Sequence, residues 1–184
     1  PPDVHYEAGM GCIDCHGSRD LHGGTKGDVS SGKIMSRQDQ STAITCESCH
    51  GSIDEYATTA PCKDYQGQEQ TCAVDRFGNT LRHVVVDSSN NYYLTSRVFG
   101  SVHYVPQTKD LVYDNNKVNP KTSNELYSPK AAYAMGRING TPGSGPVQAN
   151  PALYSNGFSH TDDLDCASCH ASWTNNCIGC HLKG

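Results

Sequence analysis

The stretch CASCHASWTNNCIGCH, residues 166–181, holds two Cys-x-x-Cys-His units separated by six residues. Two further units lie upstream, at residues 12–16 (CIDCH) and 46–50 (CESCH). The chain has 184 residues, with 10 Cys and 9 His. Chance placement would give roughly 0.03 such units in a chain of this composition, from the product of the residue frequencies. Four units are therefore not a chance occurrence, and the expected fold depends on their chemistry.

Cys-x-x-Cys-His is the attachment motif of c-type haem. Its two thiols add to the vinyl groups on one edge of the porphyrin, and two intervening residues let a single turn of chain present both sulfurs. The histidine that follows then becomes the proximal iron ligand. The sequence predicts four covalent haem c groups. The attachment cysteines are Cys12, Cys15, Cys46, Cys49, Cys166, Cys169, Cys177 and Cys180, and the proximal ligands are His16, His50, His170 and His181.

The main alternative is a tetrahedral zinc site or an iron–sulfur cluster. Paired Cys-x-x-Cys units build such sites. That reading requires the units to cooperate two by two, and it gives no reason for a histidine after every second cysteine. Haem attachment accounts for every residue of the motif, so it is the favoured interpretation.

Each haem iron has a second axial position, and five histidines remain to fill it. Closed by histidine, an iron is limited to electron transfer; left open, it can bind a gas or a substrate. The predicted distal ligands are His22, His83, His103 and His160, with His5 in reserve. Met10, Met35 and Met135 are available but are ranked below histidine.

Leu, Ile, Val and Phe together number 29 of the 184 residues, which is a thin core for this length, while the net charge of −5 is too small to force disorder. We therefore expect a single tetrahaem domain over residues 1–184, mostly coil, with a few short helices, a small β-hairpin and a core formed by the haems. Residues 51–165 are a long loop and strand insertion between the second and third units. Within it, residues 81–106 are rich in Val and Tyr and predict a hairpin or two strands. Ser128 and Pro129 predict the start of a short helix.

The two cysteines outside the units are Cys62 and Cys72. Haem c is attached outside the cytoplasm, where thiols oxidise. A disulfide between them is therefore favoured, and two free thiols are the alternative. The same argument predicts an exported protein.

The four units, the close final pair and the opening HYEAGMGCIDCHGSRDLHGG (residues 5–24) resemble the tetrahaem extracellular cytochrome nanowire subunits, the OmcE-like multihaem c-type cytochrome filament family. The resemblance implies that every iron has two histidine ligands and that subunits form a homopolymer with a continuous chain of haems. It also implies that one iron takes its distal histidine from a neighbouring subunit. For that inter-subunit ligand His22 is favoured, because its Gly-rich loop is tethered beside the first unit, and His5 is the reserve.

Three functions remain open: a subunit of an extracellular conductive filament, a soluble periplasmic tetrahaem shuttle, and, ranked last, a multihaem reductase. No catalytic residues are expected in the first two, whose partners are other redox proteins. The negative net charge argues against nucleic acid. No run of apolar residues is long enough to predict a transmembrane segment.

Overall fold

The computed structural model describes residues 4–17 and 42–145, together with residues 166 and 170. Its centre is a five-stranded antiparallel sheet in which each strand pairs with the next along the chain. The strands are β1 (Thr59–Lys63), β2 (Glu69–Val74), β3 (Thr80–Val86), β4 (Tyr92–Thr95) and β5 (Val102–Val105). The sheet is larger than the small hairpin that the sequence predicts, because β1 and β2 precede the predicted region and because residues 81–106 contribute to three strands, β3, β4 and β5, where two were expected.

Three hairpin turns of this sheet are closed by the side chain of an aspartate. Asp64, Asp75 and Asp87 each begin a turn, and the Oδ1 of each accepts hydrogen bonds from backbone N–H groups two and four residues later. These Asx-type bonds satisfy turn donors that the strands leave unpaired. Because each turn is closed in the same way, the lengths of the β1–β2, β2–β3 and β3–β4 connections are fixed and the strand register follows.

An aliphatic and aromatic core packs on the sheet. Paired residues of neighbouring strands share a face, so Val84 lies beside Leu94, and Tyr92 lies between Val86 and Val105. All five of these side chains are buried. Tyr92 also donates its hydroxyl to the carbonyl oxygen of Ala57 at 2.6 Å, which satisfies its polar end inside the core. The described part of the chain therefore has a protein core of its own.

The predicted disulfide is present. Cys62 of β1 and Cys72 of β2 are bonded, with their Cα atoms 5.8 Å apart, and both side chains are buried. The bond joins a strand to its hairpin partner across ten positions of sequence.

Short helices flank the sheet. They are α1 (Val4–Glu7), α2 (Cys12–Cys15), α3 (Cys46–His50), α4 (Thr108–Val112) and α5 (Pro129–Ala134), followed by a 3₁₀ turn at Ile138–Gly140. The start of α5 confirms the prediction: Ser128 is the N-cap, its hydroxyl accepts from the N–H of Ala131, and Pro129 is the first helical residue. Among the helices of the described residues, none is long and apolar enough to cross a membrane.

Candidate functional site

The first two Cys-x-x-Cys-His units form the short helices α2 and α3, and both helices start in the same way. In α2 a carboxylate oxygen of Asp14 accepts from the N–H of Gly11 at 2.8 Å; in α3 the hydroxyl of Ser48 accepts from the N–H of Thr45 at 3.1 Å. The third residue of each unit thus turns back to close the helix start. One helical turn then carries both cysteines of the unit, as thioether formation to a single porphyrin edge requires.

Asp14 fastens the first unit to the sheet. It is fully buried, and its carboxylate accepts from the hydroxyl of Ser96 at 2.7 Å and from the N–H of Arg97 at 2.6 Å. Burial alone would raise the pKa of Asp14, but the bonds from Gly11, Arg97 and Ser96 and the nearby His83 ring outweigh burial, and the pKa lies below its ordinary value. The unit is therefore docked through an ionised, fully hydrogen-bonded carboxylate.

Gly11 brings this docked segment very close to the β4–β5 connection. A Cβ at position 11 would overlap the side chain of Val98, with its Cβ only 3.1 Å away. A glycine is required there because no other residue permits so close an approach.

The second unit is held by the chain that follows β5. The Nδ1 of His50 bonds to the carbonyl oxygen of Pro106 at 2.7 Å. A carbonyl can only accept, so Nδ1 carries the proton and the Nε2 of His50 is the unprotonated nitrogen of the neutral ring. Metal-bound histidines are oriented in this way by a carbonyl behind the ring. His50 thus has the tautomer and the backing expected of a proximal iron ligand.

Gln107 and Gly51 complete this second site. The fully buried side chain of Gln107 donates to the carbonyl oxygen of Cys49 at 2.8 Å and accepts from the N–H of Ala57 at 3.0 Å. Gly51 ends α3 with φ of +64°, and a Cβ there would lie within 2.6 Å of the backbone nitrogen of Ala57. The chain can turn back directly after His50 only because residue 51 has no side chain.

Three of the four units adjoin. Burial, together with the neighbouring Cys15 and Cys46, raises the pKa of the Cys49 thiol to about 12. Cys166, the first residue of the third unit, donates from Sγ to a carboxylate oxygen of Glu47 at 3.4 Å. Burial lowers the pKa of His50, and the neighbouring His5 and His170 lower it further. The structure therefore brings the first and third units to the second one.

Of the histidines predicted as distal ligands, His83, His103 and the reserve His5 lie within the described residues. His83 is buried on β3 and its Nε2 bonds to the carbonyl oxygen of Asp14 at 2.9 Å. The Nε2 of His103 on β5 lies 2.7 Å from the hydroxyl of Ser101. His5 lies on α1 with its ring beside that of His50. Outside the described residues lie His22, His160, Cys169, Cys177, Cys180 and His181.

The segments around the first unit expose several large apolar side chains, which we call the apolar rim. Its members are Val4 and Tyr6 on α1, Ile13 on α2, Val98 and Phe99 in the β4–β5 connection, and Val102 at the start of β5. Tyr6 is 70% exposed and Phe99 64%. Exposed apolar groups concentrated on one set of segments mark a surface that something else covers. A porphyrin attached at the neighbouring unit would be an apolar group able to cover them.

The described residues contain no grouping of three or more His, Cys, Asp or Glu side chains that could hold a bare metal ion. A haem iron needs only two protein ligands, because the porphyrin supplies the other four nitrogens. The donor set of one exposed and one half-buried cysteine on a single turn, followed by a histidine, therefore fits haem c.

Asp14, Pro106 and Gln107 are the functional residues that sequence reasoning missed. Asp14 could have been suspected from its place inside a unit, whereas nothing in the local sequence singles out Gln107.

Comparison of the chain with protein-family models, with curated proteins and with solved structures finds no match.

Proposed function

We propose that the protein is an electron-transfer protein that binds four covalent haem c groups, each with two histidine ligands. The observation that carries the proposal is the second unit. Its helix presents two cysteines, and its His50 is held by Pro106 with Nε2 as the unprotonated nitrogen. The three other units repeat the same residue pattern.

The haem groups supply the redox chemistry, since each iron accepts or gives one electron. The chain's own residues attach, orient and space the groups. Asp14 bonds the first attachment helix to the segment before β5, through the N–H of Arg97. Gln107, in the segment after β5, bonds to the carbonyl oxygen of Cys49 in the second attachment helix. Cys15 lies near enough to Cys49 to raise the pKa of its thiol, and Cys166 lies beside Glu47, so three attachment points are close together. Close attachment points favour short electron steps between neighbouring groups.

We further propose that copies of the chain assemble into an extracellular filament. The proposal is supported by the close spacing of the third and fourth units, since seven peptide steps from His170 to Cys177 span at most about 25 Å. It is also supported by the apolar rim, which offers a surface for haem and for a neighbouring copy. The competing function is a soluble shuttle with the same haems.

Two measurements test these proposals separately. Expression with a haem c maturation system should give an intact mass increased by four haems and low-spin spectra in both oxidation states, with little carbon monoxide bound to the reduced protein. A mass without haem would refute electron transfer by these units, and ready carbon monoxide binding would reveal an open iron. Electron microscopy then separates the assemblies: fibres support the filament, and a monodisperse tetrahaem monomer identifies the shuttle.

A further inference from the structure

The ring of His5 lies beside the ring of His50, at a distance that would admit a metal between them. The two ring centroids are 6.1 Å apart and the ring planes are tilted by 41°. Metal–imidazole bonds are about 2 Å long, so two imidazoles on opposite sides of one metal have centroids about 6 Å apart. A plain aromatic contact spans a similar range of about 4.5–7 Å, so the surroundings of the pair have to decide between the two.

The surroundings favour a shared metal. His50 is the last residue of its Cys-x-x-Cys-His unit, and its Nδ1 is turned towards Pro106. The ring nitrogen suited to a metal is therefore Nε2. We propose that His5 is the distal ligand of the iron whose proximal ligand is His50. This inference rests on the proposed function, because it requires a haem c at residues 46–50.

The helix that carries His5 needs such an anchor. All four residues of α1 are exposed, and Val4 and Tyr6 are 64% and 70% exposed. A four-residue helix that buries no side chain gains little from packing. The segment after the helix contacts the sheet through Met10, whose N–H donates to the carbonyl oxygen of His5 at 2.9 Å and whose side chain packs against the core. It also contacts the β4–β5 connection through Gly9, whose carbonyl oxygen accepts from the hydroxyl of Ser101 at 3.5 Å. An iron bond from His5 would tie the helix down, and the porphyrin beside it would cover its apolar residues.

The other described spare histidines are placed differently. His83 binds Asp14, inside the first unit, and the Cε1 of His103 lies 3.7 Å from the position of a Cβ on Gly9. Both thus lie near the first unit. His5 is therefore assigned within the chain, and the inter-subunit role that the sequence reserved for it is left to His22 or His160.

The test uses the full chain with its haems. His5→Ala should still give an intact mass with four haems, because thioether attachment does not need the distal ligand. One iron in four should become high-spin by electron paramagnetic resonance, and one carbon monoxide should bind per reduced chain. Added imidazole should restore the low-spin spectrum. His5→Met should remain low-spin and raise one of the four midpoint potentials, since methionine ligation favours the reduced iron. Tyr6→Ala, on the same helix, is the matched control and should leave all four irons low-spin.

A second background identifies the iron. Replacing Cys46 and Cys49 by alanine should yield a three-haem protein, in which His5→Ala should produce no high-spin iron. Four low-spin irons in His5→Ala alone, or a new high-spin iron in the three-haem background, would overturn the assignment while leaving the proposed function intact. A wild-type protein without haem at residues 46–50 would instead refute the proposed function at that unit and the inference with it.

Discussion

Gln107 reaches back across 58 positions of sequence to hold the carbonyl oxygen of Cys49 at 2.8 Å. The same amide accepts from the N–H of Ala57 at 3.0 Å, and no part of the side chain is exposed. One buried amide thus satisfies backbone groups on both sides of the turn that follows His50. The geometry of the second attachment helix consequently depends on a residue far outside the motif.

Replacing Gln107 by alanine should lower the free energy of unfolding by about 3 kcal/mol, because two buried backbone groups lose their partners. Gln107→Glu should cost at least as much, since a carboxylate cannot donate to the carbonyl of Cys49. Thermal unfolding followed by circular dichroism measures the effect. Gln70→Ala, on an exposed position of β2, is the control and should change little. Equal stabilities of the Gln107 and Gln70 variants would disprove this role.

Asp14→Asn should destabilise the protein at neutral pH, and the difference from wild type should shrink in acid. The folded-state pKa of Asp14 is depressed despite burial, because Gly11, Arg97 and Ser96 bond to its carboxylate. A depressed pKa contributes stability above the ordinary value of 3.8 that is lost as pH falls through the folded value. Denaturant unfolding at pH 7 and at about pH 3 measures both differences. Asp114→Asn, at an exposed carboxylate, is the control; a wild-type advantage that stays constant with pH would contradict the argument.

Gly11→Ala should destabilise the protein by about 1–3 kcal/mol, because the new methyl group overlaps Val98. Gly17→Ala is a close control, since a Cβ at position 17 meets no atom within 4 Å. In the double variant Gly11→Ala, Val98→Ala, the smaller side chain at position 98 leaves room for the new methyl group. This variant should therefore regain part of the lost free energy of unfolding. The melting temperatures of the wild type, the two single glycine variants and the double variant test this prediction. If the double variant is no more stable than Gly11→Ala, the destabilisation comes from the backbone at position 11 and not from the overlap with Val98.

The Cys62–Cys72 bond should survive purification and appear in the non-reduced digest as one linked peptide pair. Replacing both cysteines by alanine should cost about 2–3 kcal/mol, as expected for a short closed loop. Because neither cysteine belongs to a Cys-x-x-Cys-His unit, haem content should not change. Loss of haem from the double variant would show that maturation depends on the bond.

His22→Ala should leave four haems attached but abolish filaments and turn one iron high-spin, if His22 crosses to a neighbouring copy. The prediction rests on the sequence, which places His22 six residues after His16 in a Gly-rich segment. Electron microscopy and spectroscopy of the same preparation test it. His160→Ala is the comparison: fibres that persist in His22→Ala but disappear in His160→Ala would transfer the role to His160.

The disulfide was predicted from the export argument and from the two cysteines left outside the units. Local signals in the sequence were enough for the helix at Pro129 and for strands within residues 81–106, although three strands form there and two were expected. Each of these predictions depends on residues close together in the sequence. Ser128 directly precedes a proline, and the Val-rich run before Asp87 pairs with Tyr92 and Leu94 after the turn. Strand β1 was not predicted, because Pro61 within a five-residue segment argues against a central strand. The approach of His5 to His50 and of Gln107 to Cys49 depends on tertiary packing between distant segments, which no local pattern encodes.

The two outer strands of the sheet have a consequence for how copies of this chain can associate. On β1, Pro61 has no N–H to offer, and on β5 the ammonium of Lys121 occupies the carbonyl oxygen of Val102. Unpaired strand edges invite other chains to add on and aggregate, and proline or lysine at an edge discourages it. Both edge strands, β1 and β5, therefore carry a feature that disfavours pairing with a strand of another chain. If the proposed filament forms, its growth would have to use other surfaces than these strand edges, such as those that carry the Cys-x-x-Cys-His units.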